Sequence, residues 1–216
     1  MTERGRFITL EGGEGAGKST QAHLLAEALR ARGLEVLLTR EPGGTLGAEA
    51  IRALLLDPPG ESAGGWSREA EALLFAAARA DHVARAIRPA LEAGHWVVCD
   101  RFLDSSRAYQ GGGGGLADAD LLALHRIGSG GLLPDLTLLV EIAPATAATR
   151  TARRDGGAAD AIAARGEPYH AAVADAFGRL ASAEPGRFVR IDGEGSEQAV
   201  HRAILAAVLE RRGAPS

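Results

Sequence analysis

The chain has almost no lysine: of its 24 Lys and Arg residues, Lys18 alone is Lys. A compact ammonium is therefore offered at one side chain, and every other basic position carries a forked guanidinium. Cysteine is equally scarce. The lone Cys99 cannot form an internal disulfide, and its place at the end of an apolar run predicts a buried thiol in a reducing compartment. Aromatics make up 4% of the chain, which leaves Ala and small aliphatics to do most of the packing, as suits helices laid closely on a sheet. No stretch of about 18 apolar residues is present, which speaks against a membrane-spanning helix. Met1 to Arg4 leads into an apolar strand rather than a secretory signal, so a cytoplasmic location is expected. The net charge of −4, with no long basic run, gives no support to a nucleic-acid polymer or an anionic membrane as main partner. None of the six His shows metal-ligand spacing, and no structural zinc is expected.

What is present fits one α/β domain spanning residues 1–216, with no internal repeat and no linker to divide it. Arg6 to Glu11 reads as a buried strand that runs into a Gly-rich turn. Ala22, Leu25, Ala26 and Leu29 then repeat at helical spacing until Gly33. Further strands are expected at Glu35–Thr39, His95–Cys99, Leu136–Ile142 and Arg187–Asp192. Helices are expected at Leu46–Leu56, at Arg68 to Ala93 with a break near Pro89, and around Val200, Ile204, Ala207 and Val208. Strands separated by helices imply a parallel sheet covered on both faces. Gly111 to Gly115 and Asp155 to Gly166 read as mobile loops.

The turn after the first strand carries the chemistry. Gly12-Gly13-Glu14-Gly15-Ala16-Gly17-Lys18-Ser19 fits GxxxxGK[ST] between a strand and a helix, the context that a phosphate-binding loop requires. Glycines let successive N–H groups turn inward, and the helix that follows adds its positive end. Lys18 is expected to reach the β and γ phosphates of a nucleoside triphosphate, with Ser19 on Mg²⁺ and Thr20 among the cofactor-binding residues that run on from the loop. Arg40 and Arg101 each follow an apolar run, at the carboxyl ends of strands, where open α/β sheets bind ligands.

Four segments together resemble the thymidylate kinases: TLEGGEGAGKSTQ at 9–21, LLTREPGGT at 37–45, LLFAAARADHV at 73–83 and DRFLDSSRAYQG at 100–111. The likeness runs from about Phe7 to Ile142. It implies a P-loop fold with a lid over about residues 150–167, ATP and Mg²⁺ as cofactors, and transfer of phosphate from ATP to dTMP. By that resemblance Glu14 lies near the deoxyribose 3′-hydroxyl and Arg40 and Arg101 hold the acceptor phosphate. Asp100 supports the metal with Ser19, and Glu41 either orients an Arg or forms a structural ion pair. Phe75 stacks on the base and Arg79 donates to its carbonyl, the two being four residues apart on one helix. Ser105, Ser106 and Gln110 border the base and sugar, and Tyr109 disfavours a ribose. Lys18, Arg101, Arg150, Arg153 and Arg154 are the candidate catalytic cations. The resemblance also implies a homodimer, with the tract Arg68 to Ala93 as its interface.

Two arginines of the family pattern are missing. Asp160-Ala161-Ile162-Ala163 stands where Asp-Arg-hydrophobic-Glu is usual, and Gly114 stands where an Arg is usual between glycines. Arg153, Arg154 or Arg165 is left to substitute. These departures leave open a kinase for another or modified pyrimidine nucleotide, or a nucleotide-binding regulatory module without catalysis.

Overall fold

The computed structural model describes residues 4–58, 65–155, 162 and 164–212, the side chains of 153–155 and 212 excepted. Five strands, β1 (Phe7–Glu11), β2 (Val36–Arg40), β3 (Trp96–Asp100), β4 (Leu136–Glu141) and β5 (Phe188–Asp192), form an all-parallel sheet in the order β2-β3-β1-β4-β5. Each lies within one residue of its predicted bounds. Along β1 the two-residue period of a strand sends Ile8 and Leu10 to one face and Phe7 to the other. The first face is covered by α1 (Lys18–Arg30) and α9 (Glu197–Arg212) through Ala22, Leu25, Leu29, Val200, Ile204 and Val208. The second face takes Val83, Ile87, Leu91 and Phe102. Leu25 and Leu29 are fully buried, and burial of each stabilises the fold by roughly 1.5–3 kcal/mol.

Helix α2 (Leu46–Leu56) matches its expectation and is capped by Thr45, whose hydroxyl accepts from the Ala48 N–H at 3.2 Å. The predicted tract from Arg68 is α3 (Arg68–His82), a π-helical turn at Val83–Ile87, and α4 (Arg88–Glu92). Pro89 does not break it. A proline clashes with the carbonyl four residues before it, and the widened turn ahead of Pro89 relieves that conflict.

After β3 come α5 (Leu103–Ser106) and a second π-helical stretch, Arg107–Gly113, then α6 (Asp118–Ser129). The expectation of a mobile loop at Gly111–Gly115 is therefore corrected: its first half is helical and closely packed. Beyond β4 lie α7 (Pro144–Asp155) and α8 (Glu167–Ala183), and sequence reading found none of α6, α7 and α8. Helix α8 packs on the glycines. A Cβ on Gly112 would sit 2.4 Å from the Ala176 Cβ, and one on Gly113 would sit 2.5 Å from the Tyr169 ring. The run of glycines is thus a contact surface with no side chains. Of the second expected loop, residues 156–161 and 163 lie outside the described residues.

Beneath this stretch, buried Asp104 receives both guanidinium nitrogens of Arg187, at 2.6 and 2.9 Å. Arg107 spans Asp118, at 2.8 and 2.9 Å, and Glu184, at 2.6 Å. These pairs tie the π-helical stretch to the entry of β5 and the end of α8.

Gly112→Ala is expected to destabilise the protein by about 1–3 kcal/mol, because the new methyl meets Ala176 where nothing can yield. Gly186→Ala, with nothing within 4 Å of the added methyl, is expected to stay within about 0.5 kcal/mol of the parent in the same denaturant titrations.

Candidate functional site

Register sets the site. Leu10 of β1 lies opposite Asp100 of β3, and Arg40 of β2 opposite the same Asp100. The loops leaving three neighbouring strands consequently open on one side of the sheet, around a cavity of about 320 Å³. β1 has β3 on one side and β4 on the other, so this is also where the strand order reverses.

The Gly12–Gly17 loop is built as the motif requires. Gly12 has φ 137°, and a Cβ there would lie 2.3 Å from the Val140 carbonyl oxygen, so only glycine fits. Gly17, at φ 83°, starts α1 without a side-chain cap and with no acid in the first turn, which leaves the end of the helix without a built-in anion. Lys18 is 6% exposed and its Nζ donates to the Gly13 carbonyl at 2.6 Å. Burial, and then the nearby Arg101, push its ammonium down to about 8. The Ser19 hydroxyl donates to the Asp100 carboxylate through Oδ2. The other oxygen of Asp100, Oδ1, is buried with no hydrogen-bond partner among the described residues. A hydroxyl beside a carboxylate with one buried oxygen unsatisfied is a donor set that suits a hard cation such as Mg²⁺, directly or through its water.

Arg101 crosses the mouth of the loop. It is the one non-glycine residue with positive φ among the described residues, at 70°. Its Nη1 donates to the Gly12 carbonyl at 2.9 Å and to Ser105 Oγ at 3.1 Å. Its Nη2 donates to Glu14 Oε1 at 2.5 Å and to the Tyr109 hydroxyl oxygen at 3.2 Å. Burial alone would favour loss of its proton, but Tyr109, Glu14, Asp100 and Glu11 outweigh that and its pKa moves up. Burial pushes the Tyr109 hydroxyl up as well, and that hydroxyl donates to Glu14 at 3.1 Å.

The opposite wall belongs to α3 and the residues after β3. Phe75 is half-buried and lines the cavity, so it is not a core residue. Arg79 is 4% exposed; its Nε donates to Glu41 at 2.7 Å, and its Nη2 to Ser106 Oγ at 2.9 Å and the Phe102 carbonyl at 3.2 Å. Glu41 in turn accepts from His82 Nδ1 at 3.1 Å. Both readings of Glu41 therefore meet in one contact: it is an ion pair, and it orients an arginine of the cavity. The Gln110 amide nitrogen donates to Glu71 at 2.8 Å. Glu71 also takes Arg165 Nη2, while Arg165 Nη1 donates to the Tyr169 hydroxyl at 2.8 Å.

The structure brings Glu14, Lys18, Ser19, Arg40, Phe75, Arg79, Asp100, Arg101, Ser105, Ser106, Tyr109 and Gln110 around one cavity. Arg40 there is half exposed and paired with Glu49 at 3.0 Å. Arg150 is placed elsewhere: it donates to the Gly193 carbonyl at 3.1 Å and does not line the cavity. The side chains of Arg153 and Arg154 lie outside the described residues. Arg52, Leu56 and Ile162 also line the cavity and were not singled out in the sequence. Glu11 was missed too. It is a buried acid at the end of β1 and accepts from the Phe102 N–H at 2.8 Å and the Ser105 hydroxyl at 2.6 Å. Cys99 is buried, and burial first, then Glu41, raise its thiol well above the usual range, so it is inert at neutral pH. No described helix is long and apolar enough to cross a membrane.

Comparison with known proteins agrees with this geometry. A family model described as thymidylate kinase matches residues 10–204. A thymidylate kinase of Rhizorhabdus wittichii is 59% identical over 206 residues, covering 95% of this chain and 98% of its own. One from Bradyrhizobium sp. (strain ORS 278) is 50% identical over 209 residues, covering 96% and 91%. The crystal structure of thymidylate kinase from Ehrlichia chaffeensis superposes with a TM-score of 0.77 at 32% identity, covering 95% of this chain and 99% of that one.

The depressed ammonium of Lys18 yields a pH prediction. Phosphate groups favour the charged form, so above pH about 8 each molecule of ATP bound draws a proton onto Lys18. Affinity for ATP is expected to fall with rising pH, by no more than tenfold per unit for one proton. Calorimetry from pH 7 to 10 checks this, and a flat profile refutes it. A group whose folded pKa is lowered stabilises the fold above its unfolded pKa and loses that contribution as pH falls through the folded one. Lys18→Met should accordingly raise the melting temperature at pH 7 and have much less effect near pH 10.5.

Proposed function

Because this chain belongs to the thymidylate kinase family, we propose that it transfers the γ-phosphoryl group of ATP to a phosphate oxygen of dTMP, yielding dTDP and ADP. One observation carries the reading: the phosphate loop and the wall of Arg40, Phe75, Arg79 and Arg101 enclose a single cavity. One end is built for a triphosphate and the other for a flat base with a phosphate between.

In this reading the attacking oxygen needs no strong base, since a phosphate monoester has its second pKa near about 6 and is largely ionised at neutral pH. Catalysis reduces to positioning and neutralising charge. Lys18, now on the Gly13 carbonyl, exchanges that contact for phosphate oxygens of ATP. Arg101 is held in place by Gly12, Ser105, Glu14 and Tyr109 before any ligand arrives, so its charge needs little reorganisation. Arg40 moves from Glu49 to the acceptor phosphate, an inexpensive exchange for an exposed pair. Arg79, fixed by Glu41 and Ser106, presents a rigid donor beside the Phe75 ring. Ser19 and Asp100 would hold Mg²⁺, which supplies charge neutralisation at the phosphates when bound.

Tyr109, in contact with Glu14 and Arg101, favours a deoxyribose by occupying space beside the sugar. A lid over the site, which the family resemblance assigns to about residues 150–167, keeps water from the transferring group in this reading. Arg165, fixed to Glu71, which also takes the amide of the cavity residue Gln110, is the arginine that anchors the start of α8 to α3. Leu73 and Ile127, 56% and 77% exposed on the adjoining helices α3 and α6, suit burial in a homodimer.

The test is a panel of dTMP, dUMP, dCMP and dGMP assayed for ADP release with and without Mg²⁺. dTMP is expected to turn over fastest, and only with the metal. Faster turnover of another acceptor, or ATP binding without transfer to any of them, overturns the proposal.

A further inference from the structure

Arg101 is held in a conformation that non-glycine residues avoid, and such a residue persists only where its surroundings over-determine it. Those surroundings converge on Glu11. Through Oε1 its carboxyl accepts from the N–H of Phe102, the residue directly after Arg101, at 2.8 Å, and from the Ser105 N–H at 3.3 Å. Through Oε2 it contacts Ser105 Oγ at 2.6 Å. Ser105 Oγ is also the oxygen that Arg101 Nη1 reaches at 3.1 Å. One side chain thus fastens the backbone just after the left-handed residue and, through a single hydroxyl, the guanidinium itself. Arg101 N–H meanwhile donates to the Leu10 carbonyl at 3.0 Å, one residue before Glu11.

We propose that Glu11 is a positioning residue for phosphoryl transfer, holding the left-handed turn at Arg101 so that its guanidinium lies across the phosphate loop. The proposal rests on the reading of this cleft as the kinase site. Glu11 does not line the cavity, so it acts through Arg101 and touches no substrate. Burial, then the neighbouring Asp104, push its carboxyl up to about 8, so it takes up a proton far above the usual carboxylate range. The contacts survive that protonation, because Oε1 still accepts from both N–H groups while Oε2–H donates to Ser105 Oγ instead of accepting from it. An amide in the same place makes the same set.

The isosteric amide should therefore preserve function and an isosteric apolar group should not. With whichever acceptor the panel shows to be turned over, Glu11→Gln is expected to keep kcat within about threefold, whereas Glu11→Leu lowers kcat/KM for that acceptor by at least about tenfold and leaves KM for ATP within about twofold. In an Arg101→Ala background, Glu11→Leu should cost little more, whether read as kcat or as acceptor affinity. Three results overturn the proposal: Glu11→Leu without effect, Glu11→Gln as damaging as Glu11→Leu, or the same loss with and without Arg101. The second would mean that the carboxyl does chemistry of its own, and the third that it serves the fold alone. Should Glu11→Leu not fold, Glu11→Asp withdraws the carboxyl by one methylene and takes its place. A crystal structure of the variant supplies a readout independent of any substrate. Arg101 is expected to leave the left-handed region, and an unchanged Arg101 contradicts the assignment even if the choice of dTMP is wrong.

Discussion

The pairing of β1 with β3, with Leu10 opposite Asp100, is the constraint on which the site depends. It sets the glycine-rich turn leaving one strand against the Asp100–Arg101 pair leaving the next. No short stretch of sequence could bring those two segments together. A shift of one residue would turn every side chain of the strand to the other face. Asp100 would leave Ser19, and Arg101 would leave the loop mouth. The alternation that buries Ile8 and Leu10 under α1, and Phe7 on the other side, holds that register by its hydrophobic cost. Packing of the core and aim of the functional groups are thus one requirement.

The site opposes the stability of the fold around it. Lys18 and Glu11 are buried with pKa values moved against their charged forms, and Arg101 sits at a strained backbone angle. Each is a local loss offset by the hydrophobic core, while pairs such as Asp104 with Arg187 fix the geometry of the segments they join. Those pairs lie directly under the π-helical stretch that carries Tyr109 and Gln110. The rigid part of the molecule therefore backs the strained part.

Much of this was legible in the sequence, for particular reasons. The five strands are short, β-branched or Leu-rich runs bounded by turn residues, and the phosphate loop joins a glycine spacing to a strand and a helix. Phe75 and Arg79 were placed by their spacing of four and by resemblance to a family, and they do share a wall. The failures are equally physical. Helices α7 and α8 are rich in Ala, and α7 also in Thr and Arg, so the apolar stripe that betrays a helix is faint; on α8 it reduces to Val173, Ala176, Phe177 and Ala181. Gly111 to Gly113 looked like a loop because glycine usually marks freedom, whereas here it marks close approach of another helix. Glu11 was passed over because an acid ending a strand looks ordinary until its partners, about ninety positions away, are known. Arg150 lies close in sequence to Arg153 and Arg154, but it turns to the Gly193 carbonyl, a direction that charge pattern does not encode.

A chain with a single lysine, and that one inside the phosphate loop, also has an unusual reactivity. Its ammonium gives up a proton near pH about 8, more than two units below an ordinary lysine at about 10.4. A larger share of it is therefore in the unprotonated, nucleophilic form at mildly alkaline pH than in lysines elsewhere. Acylating or imine-forming reagents that would decorate most proteins at many points find one side-chain amine here, besides the α-amino group. A nucleotide seated in the loop would cover it, so the extent of acylation reports directly on occupancy of the cleft.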